Sequence, residues 1–243
     1  MKYWAHRGCS QRYPENTQLS FEKAASLREL TGIETDVQRT KDGVLVILHD
    51  ERVDRTTEGF GLVKDYTWDE LKRLHIFAGQ GRPSQRILTL DELLDLLAPR
   101  LKEGMLLNLE LKNSNIRYEG MEAAVLDLVH EKGLAEQIVY SSFLPKSLAL
   151  VRSLDADAQI AVLATHASDC LMYMNGGCGA TAIHPYWQAI DEAPERLSGL
   201  TVRAWMSGHL YPEPPTGTRL DVRPLEAKGI TDLMMNEPEM YIK

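Results

Sequence analysis

Four short stretches set ionisable side chains in patterns that could do chemistry. In Ile33-Glu34-Thr35-Asp36-Val37, strand periodicity sends Glu34 and Asp36 to one face and Ile33, Thr35 and Val37 to the other. The apolar face must meet helices, so the carboxylates point inward, and two neighbouring like charges then need a cation or a shared proton. Leu106-Leu107-Asn108-Leu109-Glu110-Leu111-Lys112 repeats the device, with Asn108, Glu110 and Lys112 sharing one face and the leucines the other. Glu34 and Asp36 from one strand and Glu110 from another are three oxygen donors. They suit one hard divalent ion, Mg2+ or Ca2+, better than zinc. An interior ion pair of Lys112 with Glu110 or Glu34 explains one pair. It does not explain three carboxylates beside two histidines.

Those histidines close apolar strands, Trp4-Ala5-His6 and Val46-Ile47-Leu48-His49. An ordinary imidazole pKa near 6.5 suits both to proton exchange near neutrality. Arg7 follows His6 directly, and Lys112 lies one strand period beyond Glu110, so two fixed cations stand at the same rim. With a divalent ion they could neutralise a phosphodiester and the charge of its pentacoordinate transition state. Phosphodiester cleavage is the most economical chemistry for this set.

The elements that must position these residues alternate β-branched runs with amphipathic helical stretches, the pattern of a parallel α/β fold. The 243 residues approach the roughly 250 of a (β/α)8 barrel, whose active site lies at the C-terminal strand ends. Strands are predicted at 3–6, 33–37, 44–49, 106–111, 138–142, 160–163, 180–184, 202–206 and 232–235. That is one more than a barrel needs, and Asp42-Gly43 marks a hairpin-type turn before the surplus run ending at His49. Either an antiparallel strand enters there or the chain descends in extended form. Both routes return His49 towards Glu34 and Asp36.

Capping boxes start helices at Thr67 (with Glu70) and Thr89 (with Glu92). The polar segment 51–86 is long for a βα connection and reads as a small insertion after the third strand, packed beside the barrel mouth. Residues 1–243 are expected to form one domain. Tyr211–Pro215 reads as a loop.

Composition excludes some function classes. A hydrophobic fraction of 44% and a charged fraction of 26% are those of an ordinary globular protein, and a net charge of −8 argues against a nonspecific nucleic-acid binder. No window approaches the ~18 apolar residues of a membrane span, and the N-terminus lacks a secretory apolar region, so a cytoplasmic protein without stable membrane insertion is expected. Cys9, Cys170 and Cys178 read as reduced, buried thiols rather than a disulfide framework or a metal pair. A homo-oligomer is left open.

In order and spacing these motifs resemble the glycerophosphodiester phosphodiesterase family over nearly the whole chain. The resemblance rests on HRG at 6–8, PENT at 14–17, Glu34-x-Asp36, KDG at 41–43, His49-Asp50, DRTTEGFG at 54–61, the helix start at Thr89 and Glu110-x-Lys112. It implies a phosphodiesterase-type TIM barrel acting on a small glycerophosphodiester. Glu34, Asp36 and Glu110 would hold one divalent metal, His6 and His49 would act as general base and acid, and Arg7 and Lys112 would grip the phosphate. The substrate's free glycerol hydroxyl would attack phosphorus, and the cyclic phosphate would open to glycerol 3-phosphate.

Two departures stand out. Trp205-Met206-Ser207-Gly208 replaces a frequent Trp-Thr-Val-Asn, and Met235-Asn236-Glu237-Pro238 replaces Thr-Asp-x-Pro. They are expected to bear on substrate choice rather than on the chemistry. Trp205, with Tyr186 and Trp187, is a candidate wall for the glycerol pocket. Gly8 is expected to let backbone approach the phosphate, and Asn16 or Thr17 to cap a helix carrying Leu19, Ala24, Leu27 and Leu30. Glu15 either orients His6 or Arg7 or merely adds charge at that helix start. Rival readings are a related enzyme for lysophospholipid or inositol phospholipid and a catalytically silent barrel that binds a phosphorylated ligand. Glycoside hydrolysis is disfavoured, since it has no use for the surrounding histidines and cations.

Overall fold

The computed structural model describes residues 1–78, 83–207, 217 and 219–242; Gly208 and the expected loop at 211–215 lie outside them. In chain order the strands are β1 (Lys2–His6), β2 (Gly32–Arg39), β3 (Leu45–Ile47), β4 (His75–Ile76), β5 (Gln85–Arg86), β6 (Leu88–Thr89), β7 (Leu106–Leu111), β8 (Ile138–Ser142), β9 (Gln159–Leu163), β10 (Ala182–His184), β11 (Thr201–Trp205) and β12 (Asp232–Met235). The helices are α1 (Gln18–Ala25), α2 (Trp68–Leu71), α3 (Leu90–Lys102), α4 (Met121–Glu131), α5 (Pro145–Leu154), α6 (Ala167–Asn175), α7 (Pro194–Leu197) and α8 (Arg223–Ala227).

Eight of the strands form a closed parallel ring: β1 pairs with β2, the order continues β2-β7-β8-β9-β10-β11-β12, and β12 returns to β1. This is the expected (β/α)8 barrel. The surplus strand is β3, antiparallel to β2 through Val37–Ile47, Gln38–Val46 and Arg39–Leu45. The turn at Asp42-Gly43 is therefore a hairpin, with Gly43 at φ 91°, and β6 pairs antiparallel on β3 outside the ring. His49 returns to the mouth by this fold-back.

Ile33, Val37, Leu107, Leu109 and Leu111 face the helices in the main core, as strand alternation requires. A second apolar cluster fills the lumen, including Trp4, Val139, Leu163, Trp205 and Met234. A third, Val46, Leu48, Val53, Val63, Leu71, Ile76 and Ile87, joins β3 to the inserted residues. Both predicted capping boxes form, on Thr67 and Thr89, although α2 is a single turn. Helix α1 ends at Ala25, so Leu27 and Leu30 pack from the following turn rather than from the helix.

Candidate active site

Register sets the mouth. His6 pairs with Glu34, Glu34 with Asn108, and Asp36 with Glu110, so three adjacent strands deliver their polar ends at one level. One oxygen each of Glu34, Asp36 and Glu110 lie within 4.8 Å of one another, and all three residues are buried. Burial, and then the neighbouring Asp36 carboxylate, push Glu34 well above the usual carboxylate range. Burial would also raise Asp36, but His49, Arg7 and Lys112 more than offset it and hold that carboxyl below its ordinary value. The buried Asp36 Oδ1 and Asn108 Oδ1 have no hydrogen-bond partner. An all-oxygen cluster with excess negative charge and orphaned acceptors fits a hard divalent cation.

Arg7 and Asn16 are the non-glycine residues of the described chain with positive φ, both 56°, a conformation that L residues adopt only when held there. Both serve this cluster. Arg7 N–H donates to Glu34 O at 2.9 Å, and its carbonyl accepts from Asn16 N–H at 3.1 Å and Ser20 Oγ at 3.1 Å. Its Nε lies 3.4 Å from Asp36 Oδ2, to which Asn16 Nδ2 donates at 2.9 Å. The helix cap is Thr17, whose hydroxyl accepts from Ser20 N–H, so Asn16 is freed to fix the carboxylate. Gly8 (φ 79°) is required by packing, because a Cβ there would lie 2.7 Å from the Ser20 backbone. That packing requires a glycine whether or not its backbone also approaches a phosphate.

The two histidines are held differently. His6 Nδ1–H donates to Asn236 Oδ1 at 2.7 Å, which leaves Nε2 with its lone pair, 3.7 Å from Glu34 Oε2. Ser207 Oγ lies 3.4 Å from the same Nδ1 and 3.0 Å from Asn236 Oδ1. Burial, then the Arg7 charge, lower His6 to about 3, so the imidazole is neutral. His49 Nδ1–H instead donates to the Asp50 carboxylate at 2.6 Å. Gln38, fully buried, donates from Nε2 to the carbonyls of Leu48 (3.1 Å), His49 (3.2 Å) and Asp50, while its Oε1 accepts from Tyr118 at 2.8 Å. One side chain thus clamps the turn that presents His49.

Lys112 Nζ donates to Glu110 at 2.9 Å and stands 3.8 Å from Asp36. Glu15 is not a mere capping charge. It pairs with Arg7 at 3.1 Å and accepts two hydrogen bonds of 2.7 Å from Arg55, which bring its carboxyl down to about 2 against the opposing effect of burial.

A cavity of about 510 Å3 opens among these groups, with His6, Arg7, Glu34, His49, Glu110 and Lys112 on its polar side. Phe143, Leu163, Trp205 and Met234 form an apolar wall. Asp36 lies behind the rim, fully buried. Trp205 is anchored by Nε1–H to His184 O at 3.1 Å and packs on Tyr186 with ring centroids 4.7 Å apart. Trp187 does not line this cavity. It is half-buried and meets the Tyr186 ring edge-on at 6.4 Å.

Sequence reasoning missed Asn16 as a carboxylate clamp, Gln38, Asp50 and Arg55, although His49-Asp50 and DRTT signalled two of them. The departures at Ser207 and Asn236, expected to bear on substrate choice, both converge on the ring nitrogen of His6.

A closed (β/α)8 barrel whose C-terminal mouth gathers histidines, cations and an acidic cluster around one cavity defines a barrel enzyme. The sequence pattern of the glycerophosphoryl diester phosphodiesterase family matches residues 6–207, and the chain belongs to that family. A glycerophosphodiester phosphodiesterase of Caldanaerobacter subterraneus subsp. tengcongensis is 33% identical, with 98% of this chain and 95% of that protein aligned. One from Bacillus altitudinis is 43% identical over 67% of this chain, and this match spans only 66% of the relative's length. Among solved structures, a phosphodiesterase of Oleispira antarctica in complex with the product sn-glycerol-3-phosphate superposes with TM-score 0.79 at 25% identity, covering 98% of this chain and 94% of that one.

Proposed function

We propose that this chain, as one barrel domain with an insertion at about 51–86, hydrolyses glycerophosphodiesters to glycerol 3-phosphate and an alcohol with the help of one Mg2+ or Ca2+ ion. The observation that carries the reading is the meeting of His6, His49, Arg7 and Lys112 around Glu34 and Glu110 in one cavity, with Asp36 behind them. The product bound to the Oleispira protein supports the same end product here. A divalent ion held by Glu34, Asp36 and Glu110 would supply positive charge against the phosphate oxygens.

His6 Nε2, neutral and carrying its lone pair, takes the proton of the substrate's free glycerol hydroxyl as that oxygen bonds to phosphorus. His49, whose Nδ1 is tied to Asp50, gives a proton from Nε2 to the departing alcohol oxygen as the P–O bond breaks. In the second half water attacks the cyclic phosphate, with the two histidines exchanging roles. Arg7 and Lys112 hold the non-bridging oxygens, Trp205 walls the glycerol, and Glu15 orients Arg7. Trp187 acts only through Tyr186 in this arrangement. The buried free thiols favour a reducing, cytoplasmic setting; among the described residues no helix is long and apolar enough to cross a membrane.

The apolar wall around Phe143 and Leu163 supports a second reading, in which a lysophospholipid presents its acyl chain there. One experiment tests both: release of glycerol 3-phosphate or lysophosphatidate from a panel containing glycerophosphocholine, glycerophosphoethanolamine, glycerophosphoinositol and lysophosphatidylcholine. It is run with Mg2+, with Ca2+ and with EDTA. Wild type is expected to release glycerol 3-phosphate only with metal, and His6→Ala and His49→Ala are each expected to lose about 100-fold or more. Activity indifferent to EDTA, or intact in either variant, would sink the assignment.

A further inference from the structure

Arg55 lies in the insertion, 40 residues from Glu15, yet its guanidinium spends nearly every donor on the mouth. Nε donates to Asp50 Oδ2 at 2.6 Å and Nη2 to Asp50 Oδ1 at 3.1 Å. On the other edge Nη1 donates to Glu15 Oε2 and Nη2 to Glu15 Oε1, both at 2.7 Å. The two carboxylates so gripped face opposite ways. Asp50 receives His49 Nδ1–H at 2.6 Å, and Glu15 receives Arg7 Nη1–H at 3.1 Å. Arg7, Glu15, Arg55, Asp50 and His49 therefore form one continuous chain of alternating basic and acidic groups along the rim of the cavity, with Arg7 buried, Glu15, Asp50 and His49 half-buried and Arg55 exposed.

We infer that Arg55 is a positioning residue that fixes His49 and Arg7 together, so that the group protonating the leaving oxygen and the cation gripping the phosphate hold one mutual geometry. The planar fork is what the site uses. A lysine could match one carboxylate by charge, but it cannot present two parallel donors to each of two carboxylates on opposite edges. Through Asp50 the contact fixes the His49 tautomer and ring plane; through Glu15 it fixes the Arg7 head. The insertion thereby has a task in the chemistry, since it carries the residue that ties the first βα turn to the turn after β3.

This inference rests on the roles proposed for His49 and Arg7, and the test separates the two. Wild type, His49→Ala, Arg55→Lys and Arg55→Gln are compared on glycerophosphocholine and on glycerophospho-p-nitrophenol, whose leaving group departs without a proton. If His49 is the acid, His49→Ala loses most of its activity on glycerophosphocholine and little in the first-turnover release of nitrophenol, which precedes the opening of the cyclic phosphate that also needs His49; equal loss in both would remove the acid role itself. Given that outcome, both Arg55 variants are expected to lose about 10- to 100-fold in kcat on glycerophosphocholine, as outer partners of catalytic groups typically cost. In the first-turnover release of nitrophenol they should keep a rate near wild type, while KM rises on both substrates. A merely structural arginine would lower that rate and kcat on glycerophosphocholine alike. That result, or full activity in Arg55→Lys, would overturn the inference.

Discussion

The barrel holds two buried clusters built from the same residue types, one at the mouth and one lower in the lumen. In the lower cluster Arg203 donates to His184 Nε2 at 2.6 Å, lies 3.6 Å from Asp232 and stacks 4.1 Å from the Trp4 ring. Asp232 accepts from Trp4 Nε1–H at 2.8 Å and from the Thr231 hydroxyl at 2.6 Å. Here one cation meets one carboxylate, and burial together with Arg203 keeps His184 neutral. At the mouth the carboxylates Glu34, Asp36, Glu110, Glu15 and Asp50 meet three fixed cations, Arg7, Lys112 and Arg55, and the two histidines. With the histidines neutral, the formal charges leave two negatives over, the charge of one divalent ion. Histidine, arginine and aspartate in a buried cluster do not by themselves mark a site; an unbalanced charge beside an open cavity does.

The sharpest way to break that contrast is to remove one charge from each cluster. Glu34→Gln is expected to lower glycerol 3-phosphate release about a thousandfold, some 4 kcal/mol of transition-state stabilisation. Its thermal midpoint in EDTA should be no lower than wild type, because a carboxyl that resists ionisation beside Asp36 has been made neutral. Asp232→Asn should do the reverse. It strands the buried Arg203 and costs about 3–5 kcal/mol of stability, while kcat per folded molecule stays within about twofold, since the site lies beyond its contacts. A denaturant melt and an active-site titration on both variants measure the pair. If Glu34→Gln melts well below wild type in EDTA, the mouth is a structural cluster like the lower one.

What the sequence made legible follows the same division. Period-two alternation at Glu34/Asp36 and Asn108/Glu110/Lys112, and histidines closing apolar runs, pointed to the polar rim of the cavity because strand geometry fixes which side chains share a face. The (β/α)8 ring was legible for the same reason. The surplus strand was not decided, since an antiparallel return and an extended descent share one residue pattern; only the Val37–Ile47 pairing distinguishes them. Asn16 was hidden by its type, as an asparagine before a helix reads as a cap. Ser207 and Asn236 reach His6 from strand ends some 200 residues away in the chain, and no local pattern encodes such a meeting. The lower cluster went unread because Arg203 and Asp232 sit singly in strands of otherwise ordinary composition.

Acid sharpens the comparison further. Glu15 ionises at about 2 in the fold, against an ordinary 4.5. A carboxylate depressed in this way contributes stability that is fully present above its unfolded pKa and is lost as pH falls from about 4.5 towards 2, at most about 3 kcal/mol. Glu15→Gln should therefore be less stable than wild type at pH 6 and approach it near pH 2. Urea midpoints across that range read the slope. A constant gap between the two proteins would mean that Arg7 and Arg55 do not hold the Glu15 charge.

The smallest expected effect belongs to Gln38, which separates holding a catalytic group from holding the fold. Its side chain has the mouth's turn on one end and Tyr118 on the other, so Gln38→Leu keeps the volume and removes the donors to Leu48, His49 and Asp50. The freed carbonyls of His49 and Asp50 belong to a half-buried turn that water can reach, so the stability loss, about 1–2 kcal/mol, comes mainly from the buried Leu48 carbonyl and Tyr118 hydroxyl. The imidazole loses its fixed approach, and kcat on glycerophosphocholine should fall about tenfold, near 1.4 kcal/mol, with KM little changed. Steady-state kinetics beside a melt give both numbers. A stability loss of several kcal/mol with unchanged kcat would place Gln38 with Arg203 and Asp232, as part of the frame rather than of the mouth.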